Sequence, residues 1–351
     1  MPSPIRAAPL TPPRFAAATA FVTAIAAALF LPRDEAGSTR SGGGAVPIEL
    51  RLPIFVLAVA SASFLLLVAP IPQDPSYHAF ADRRGYLCGC CAGGGFGGFI
   101  PPEGNVAGPS GGDDGRHGRR RRGFVVPNFF DVTSNVVIFL GGVAGIAVLS
   151  LNNSAHGVEG DEWQLTVCLP VLFGATAVVS AGSCIYHWNP NSNTLVFDRL
   201  PMTVAFMAIF TFLLDERIQP LHGDVDTRDS SRVGPLILTP LVFLGSASVL
   251  YWHVTDDLRP YFLVQFVPIL AVPVLLSLYP PRYTGQGHII SALFWYVVAK
   301  VCEEKDLEIY VATRKRVSGH TLKHITAGFV PFCIAYMLLV RKPIPASMHQ
   351  D

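Results

Sequence analysis

Two histidines four positions apart, His320 and His324, stand at the start of an apolar run near the C-terminal end of the chain. On a helix this spacing places both side chains on one face, about one turn apart. Two imidazoles placed in this way can bind a single metal ion. A catalytic zinc site needs a third protein ligand and an open position for water. The chemistry therefore depends on whether the rest of the chain supplies that ligand.

A second polar cluster lies far upstream and consists of Ser183, His187 and Asp198. Ser183 and His187 are four positions apart, so on a helix they also share a face. Three neutral imidazoles make a tetrahedral zinc site with water as the fourth ligand, and zinc lowers the pKa of that water to about 7. We therefore predict that His187, His320 and His324 bind zinc. We predict Asp198 as the general base and acid, and Ser183 as the donor to the oxyanion.

The composition of the chain indicates that these residues lie in a membrane. The 351 residues are 50% hydrophobic and 15% charged, whereas soluble domains carry about 25% charged residues. The net charge of +1 gives no electrostatic reason to expect a nucleic-acid partner. Long apolar runs in lipid form helices, because a helix satisfies its own backbone hydrogen bonds. We predict an all-α integral membrane protein with a seven-helix core and one or two extra N-terminal hydrophobic segments.

Seven apolar runs make up the predicted core, and they place the two clusters relative to each other. The runs are Val136–Leu151, Leu165–Gly182, Met202–Leu214, Pro235–Trp252, Tyr261–Tyr279, Ile289–Val301 and Ile325–Val340. The Ser183 cluster lies between the second and the third run. If each of the next four runs crosses the membrane, the chain returns to the same side before His320. Counting crossings therefore predicts that the two clusters meet.

The remaining segments contribute no predicted site residue. Residues 1–50 are predicted to be a targeting or anchor segment followed by a linker, and a signal peptide, a transit sequence and a signal anchor all fit it. Residues 51–71 predict an extra transmembrane helix, and residues 72–135 a polar loop. Within that loop, residues 85–123 are rich in glycine and cannot bury a core, which fits a disordered loop or misread gene sequence. The seven-helix core spans residues 136–342, and residues 343–351 form a tail.

These motifs resemble those of the alkaline ceramidases. The resemblance is carried by the serine and histidine four apart, the aspartate eleven residues later and the late histidine pair, on seven helices. More broadly, the chain is similar to the membrane hydrolase superfamily that includes the adiponectin/progestin receptors and the Per1-type proteins. Residues 77–82, 127–135 and 186–188 resemble most the ceramidase-like branch of bacteria and plants. The similarity covers about residues 72–342, apart from 85–123.

The resemblance implies that the protein hydrolyses the amide bond of ceramide or phytoceramide to a sphingoid base and a fatty acid. It also implies zinc bound by the three histidines, with Ser183 and Asp198 beside it. Two alternatives stay open. One is an ester-cleaving lipid hydrolase of the Per1 type, and the other is a receptor of the adiponectin/progestin type with a non-catalytic zinc. The presence of both Ser183 and Asp198 favours hydrolysis, because a structural zinc site needs neither residue.

The resemblance also raises the question of calcium. Alkaline ceramidases carry a calcium site made of acidic residues before and at the start of the first core helix, and this chain departs from that pattern at Asn128. Asp82 and Asp131 are candidate oxygen ligands in its place. Because residues 85–123 lie between them in the sequence, Ca2+ stays unassigned. The expected partners are a ceramide-type lipid in the membrane and water. The expected location is the endoplasmic reticulum or the Golgi, with the site on the cytosolic side because basic residues are more numerous there.

Overall fold

A computed structural model describes residues 60–87, 98–100, 125–151, 162–218 and 233–344. The predictions for residues 1–50 and for most of the tail lie outside the described residues. Of the predicted extra transmembrane helix, residues 60–67 are helical. Within the glycine-rich segment 85–123, residues 85–87 and 98–100 belong to strands, and the others lie outside the described residues.

Helices dominate the described residues. They are α1 (Phe129–Leu151), α2 (Leu169–Trp188), α3 (Ser192–Arg217), α4 (Val233–Thr255), α5 (Arg259–Leu278), α6 (Gln286–Glu304), α7 (Asp306–Ala312) and α8 (Gly319–Val340). A π-helical turn, Gln164–Cys168, leads into α2, and a short 3-10 helix, Pro75–His78, precedes the bundle. Three short strands form an antiparallel sheet in the order β2-β1-β3. They are β1 (Gly85–Leu87), β2 (Gly98–Ile100) and β3 (Val125–Val126). The small sheet was not expected from the predicted all-α class.

Six of these helices are long and apolar enough to cross a membrane, which indicates a multi-pass membrane protein. They are α1, α2 with its π-helical turn, α3, α4, α5 and α8. The predicted count of seven spans is not confirmed, since six helices among the described residues meet these criteria. The remaining predicted span, Ile289–Val301, lies in α6, whose last turn carries the charged residues Glu303 and Glu304. This helix packs along α8 and so belongs to the bundle.

The helices are longer than the apolar runs, because the polar site residues belong to their end turns. The predicted core start at residue 136 was seven residues too late, since α1 begins at Phe129. A capping box of Asn191 and Thr194 starts α3 ten residues before the run Met202–Leu214. Ser318 caps α8 by accepting a hydrogen bond from the backbone N–H of Thr321. Both caps satisfy backbone donors that would otherwise be unpaired at a helix N-terminus.

Close packing of α2 against α3 at the polar end of the bundle depends on Gly182. A Cβ atom at Gly182 would lie 2.0 Å from the carbonyl oxygen of Phe197, so no larger residue fits without moving a helix. Small residues let helix backbones approach closely in membrane proteins. This contact sets the distance between Ser183 on α2 and Asp198 on α3.

We expect the Gly182→Ala substitution to destabilise the fold by about 1–3 kcal/mol, the usual range for overpacking a filled site. Thermal unfolding in detergent would measure the change. Gly174→Ala on the same helix is the matched control, since a Cβ there meets nothing within 4 Å. An alanine at residue 182 that is tolerated as well as one at residue 174 would contradict the packing role of Gly182.

Candidate metal centre

The imidazoles of His187, His320 and His324 form a buried group that can hold a metal ion. His187 lies in the last turn of α2, while His320 and His324 lie on one face at the start of α8. One ring nitrogen from each histidine lies within 4.8 Å of the others. The two clusters therefore meet, as the count of membrane crossings predicted.

Neighbouring groups hold the three rings in place. The Ser134 hydroxyl lies 2.8 Å from Nδ1 of His324, which leaves Nε2 of that ring for the group. The ring of Phe80 packs against His187 and His320, with centroid distances of 4.6 and 4.7 Å. Partners of this kind fix the orientation of metal-binding imidazoles.

One pair of ring nitrogens is spaced like two ligands of one metal ion. Nε2 of His187 and Nε2 of His320 are 3.3 Å apart. Two nitrogens bound tetrahedrally to one zinc at about 2.0–2.1 Å are separated by roughly 3.3–3.4 Å. Nδ1 of His187 is buried and has no hydrogen-bond partner among the described residues. A set of three imidazoles suits zinc but also copper, iron or nickel.

Ser183 and Asp198 lie beside the histidine group and are both buried. Both residues line the same cavity as His324. The five residues that the sequence analysis singled out therefore lie at one end of the bundle.

A cavity of about 130 Å³ extends from this polar end into the bundle. Its walls come from α1, α2, α3, α6 and α8. Ser183, Asp198, Lys323 and His324 line one end, and apart from Thr176 and Tyr296 the rest of the lining is apolar. A second cavity of about 100 Å³ shares part of this wall, including Tyr296. The site thus opens onto space suited to an apolar ligand.

An ion-pair cluster beside the site was given no function by the sequence analysis. Nζ of Lys323 lies 2.5 Å from Oε1 of Glu303, which also pairs with Lys300. The Tyr77 hydroxyl donates to the same Glu303 oxygen at 3.1 Å. Removal from solvent raises the pKa of the Tyr77 phenol, so this group stays protonated and keeps donating. A lysine between two histidine ligands in an apolar run is the sequence signal that could have identified the cluster.

The candidate calcium ligands make contacts with the protein itself. Asp82 forms a salt bridge with Arg84 at 2.6 Å. Asp131 accepts a hydrogen bond from the Thr321 hydroxyl at 2.7 Å. Asn128 has a positive φ of 44° and donates from its side chain to the carbonyl oxygen of His187 at 2.8 Å. Among the described residues, the histidine group is the one set of three or more side chains placed to share an ion, so Ca2+ stays unassigned.

We expect the protein to contain about one zinc ion per chain, and His320→Ala to lose most of it, because two imidazoles bind zinc far more weakly than three. Elemental analysis of the purified protein measures the metal content. His253→Ala is the control, since His253 is exposed on α4. A His320→Ala protein with the zinc content of the wild type would remove this residue from the ligand set.

No protein-family model and no curated protein sequence matches the chain. The geometry of the site is therefore the basis on which a function is proposed.

Proposed function

We propose that this chain is a zinc-dependent intramembrane amidohydrolase that cleaves ceramide or phytoceramide to a sphingoid base and a fatty acid. One observation carries the proposal. A buried serine and a buried aspartate adjoin three converging imidazoles at the polar end of an apolar cavity. When bound by the three histidines, zinc acts as a Lewis acid and makes water nucleophilic near neutral pH.

The number of protein ligands supports a catalytic rather than a structural metal. Structural zinc sites are usually closed by four protein ligands, whereas catalytic sites keep one position open. The described residues supply His187, His320 and His324 and no fourth residue to the group. The open position fits a hydrolytic site better than a receptor with a structural zinc.

Asp198 supports hydrolysis of an amide in particular. An amine is a poor leaving group unless its nitrogen is protonated, so the reaction needs a residue that takes a proton and returns it. The Asp198 carboxylate lines the cavity next to His324. In the proposed reaction it accepts a proton from the attacking water and passes it to the amide nitrogen as the carbon–nitrogen bond breaks.

Ser183 is the proposed donor to the oxyanion. Its hydroxyl lines the cavity together with Asp198 and His324. In the proposed reaction it donates a hydrogen bond to the oxygen of the attacked carbonyl.

The cavities support a lipid with two chains as the substrate. Both cavities are lined mainly by apolar side chains, and they share a wall that includes Phe206, Tyr296 and Val330. A ceramide carries two hydrocarbon chains on either side of its amide. The choice of ceramide among amide lipids rests on the resemblance of the motifs.

The six apolar helices indicate a membrane protein. We propose the endoplasmic reticulum or the Golgi as its location, and a cytosolic site, from the distribution of basic residues and the resemblance.

We expect the zinc-loaded protein to release fatty acid from ceramide or phytoceramide, and Asp198→Asn to lower kcat by about 10²–10⁴, the usual contribution of a general acid–base group. Fatty-acid release from a panel of matched amide and ester lipids measures this. Asp256→Asn is the control, because Asp256 is exposed and has a positive φ of 52° that asparagine also tolerates.

The panel also separates the alternatives. Cleavage of esters without amides would favour the Per1-type reaction. A fully zinc-loaded protein that cleaves neither would favour a receptor. Undiminished turnover by Asp198→Asn would remove Asp198 from the mechanism.

A further inference from the structure

Lys323 places a cation inside a mostly apolar cavity. This residue lies on α8 between His320 and His324, and it lines the cavity together with Ser183 and Asp198. Its side chain is 14% exposed. Lysine is rarely buried to this extent without a partner, because desolvation of the ammonium is costly. The partner here is Glu303 on α6, at 2.5 Å.

The ammonium of Lys323 has hydrogen-bond donors to spare. An ammonium carries three N–H donors, and Glu303 is the one acceptor that the described residues provide for it. Glu303 itself is shared with Lys300 and Tyr77. Two donors of Lys323 therefore remain for a molecule in the cavity.

The ammonium is also electrostatically close to the rest of the site. Its charge acts on Asp198 and on each of the three imidazoles. Ser183 has a single O–H donor, whereas the Lys323 ammonium has three and gives one of them to Glu303. Lys323 is thus a donor already in place when negative charge first develops on a carbonyl oxygen.

We propose that Lys323 is a further catalytic residue, which donates a hydrogen bond to the carbonyl oxygen of the scissile amide as that oxygen becomes negative. This inference rests on the proposed amide hydrolysis. Water attacks the carbonyl carbon, one water proton passes to Asp198, and the π electron pair moves onto the oxygen beside Lys323. The pair then re-forms the carbonyl, the carbon–nitrogen bond breaks, and the nitrogen takes the proton from Asp198. Glu303 is a positioning residue that holds the ammonium at this point.

A purely structural function of the Lys323–Glu303 pair predicts something different. In that case removal of Lys323 and removal of Glu303 would lower kcat by the same factor, since either change leaves an unpaired buried charge. If Lys323 contacts the reacting oxygen, loss of Glu303 is the milder change, because the ammonium remains. Comparing the two variants separates the explanations.

The first experiment measures kcat and KM of zinc-loaded variants of the full chain with ceramide. We expect Lys323→Met to lower kcat about 100-fold with KM within about 3-fold, as removal of an oxyanion donor does. Lys323→Arg should recover about 10-fold of that loss. Glu303→Gln should lose less than about 10-fold, and the control Lys300→Met less than about 3-fold, because Lys300 does not line the cavity. Equal losses in Lys323→Met and Glu303→Gln would overturn the inference.

A second readout needs no turnover. The carboxylate of palmitate stands in for the anionic oxygen, and hexadecanol is a neutral probe of the same chain length. We expect Lys323→Met to weaken binding of palmitate by at least about 10-fold, with hexadecanol changed less than about 3-fold. Equal affinity of wild type and variant for palmitate would overturn the inference.

The two readouts keep the failures apart. A wild-type protein that cleaves no amide defeats the proposed function, and the palmitate comparison then decides alone whether Lys323 contacts an anionic oxygen. If Lys323→Met does not fold, the double variant Glu303→Gln/Lys323→Met removes both buried charges together. The same losses are expected in the double variant, and a double variant with wild-type kcat or palmitate affinity would overturn the inference.

Discussion

The cost of burying polar groups among apolar helices is the constraint on which the rest of this structure depends. Imidazoles, carboxylates and ammonium groups are stable in such surroundings only when they are paired or bind a metal. At the end of the bundle that holds the histidines, Glu303 joins Lys300 and Lys323. Nearby, the guanidinium of Arg199 lies over the ring of Trp252 at 4.2 Å. A second group of buried charges, Asp215, Glu216, Arg217 and Arg341, lies at the opposite end. Between the two ends the lining of the cavity is mostly apolar, so its polar groups lie at one end.

Segments outside the long helices complete the site. Asp306, at the start of the short helix α7, contacts both the segment before the bundle and α8. One of its oxygens accepts from the backbone N–H of His320 at 2.8 Å, and the other accepts from that of Ala81 at 2.9 Å. The polar segment before the bundle is thereby tied to the first turn of α8. The functional end of the protein is therefore assembled from parts of the chain that are distant in sequence.

The sequence was sufficient to predict the helical bundle and the meeting of the three histidines, because helical spacing and the count of crossings depend on local patterns. It was less reliable at helix ends, where caps such as Asn191 and Ser318 lie outside the apolar runs. The run Ile289–Val301 was predicted to be a span, but α6 ends in charged residues and is not among the six helices that could cross a membrane. The contact between Lys323 and Glu303 could not be predicted, because it depends on how α6 and α8 pack. For the same reason the covering of the site by Phe80 has no local sequence signal.

The position of Phe80 makes the two sides of the histidine group unlike. Its ring lies against two of the three imidazoles, and it belongs to a segment that precedes the bundle in the chain. The third imidazole, His324, lines the cavity instead. An aromatic ring thus covers one side of the group, and the other side borders space inside the bundle.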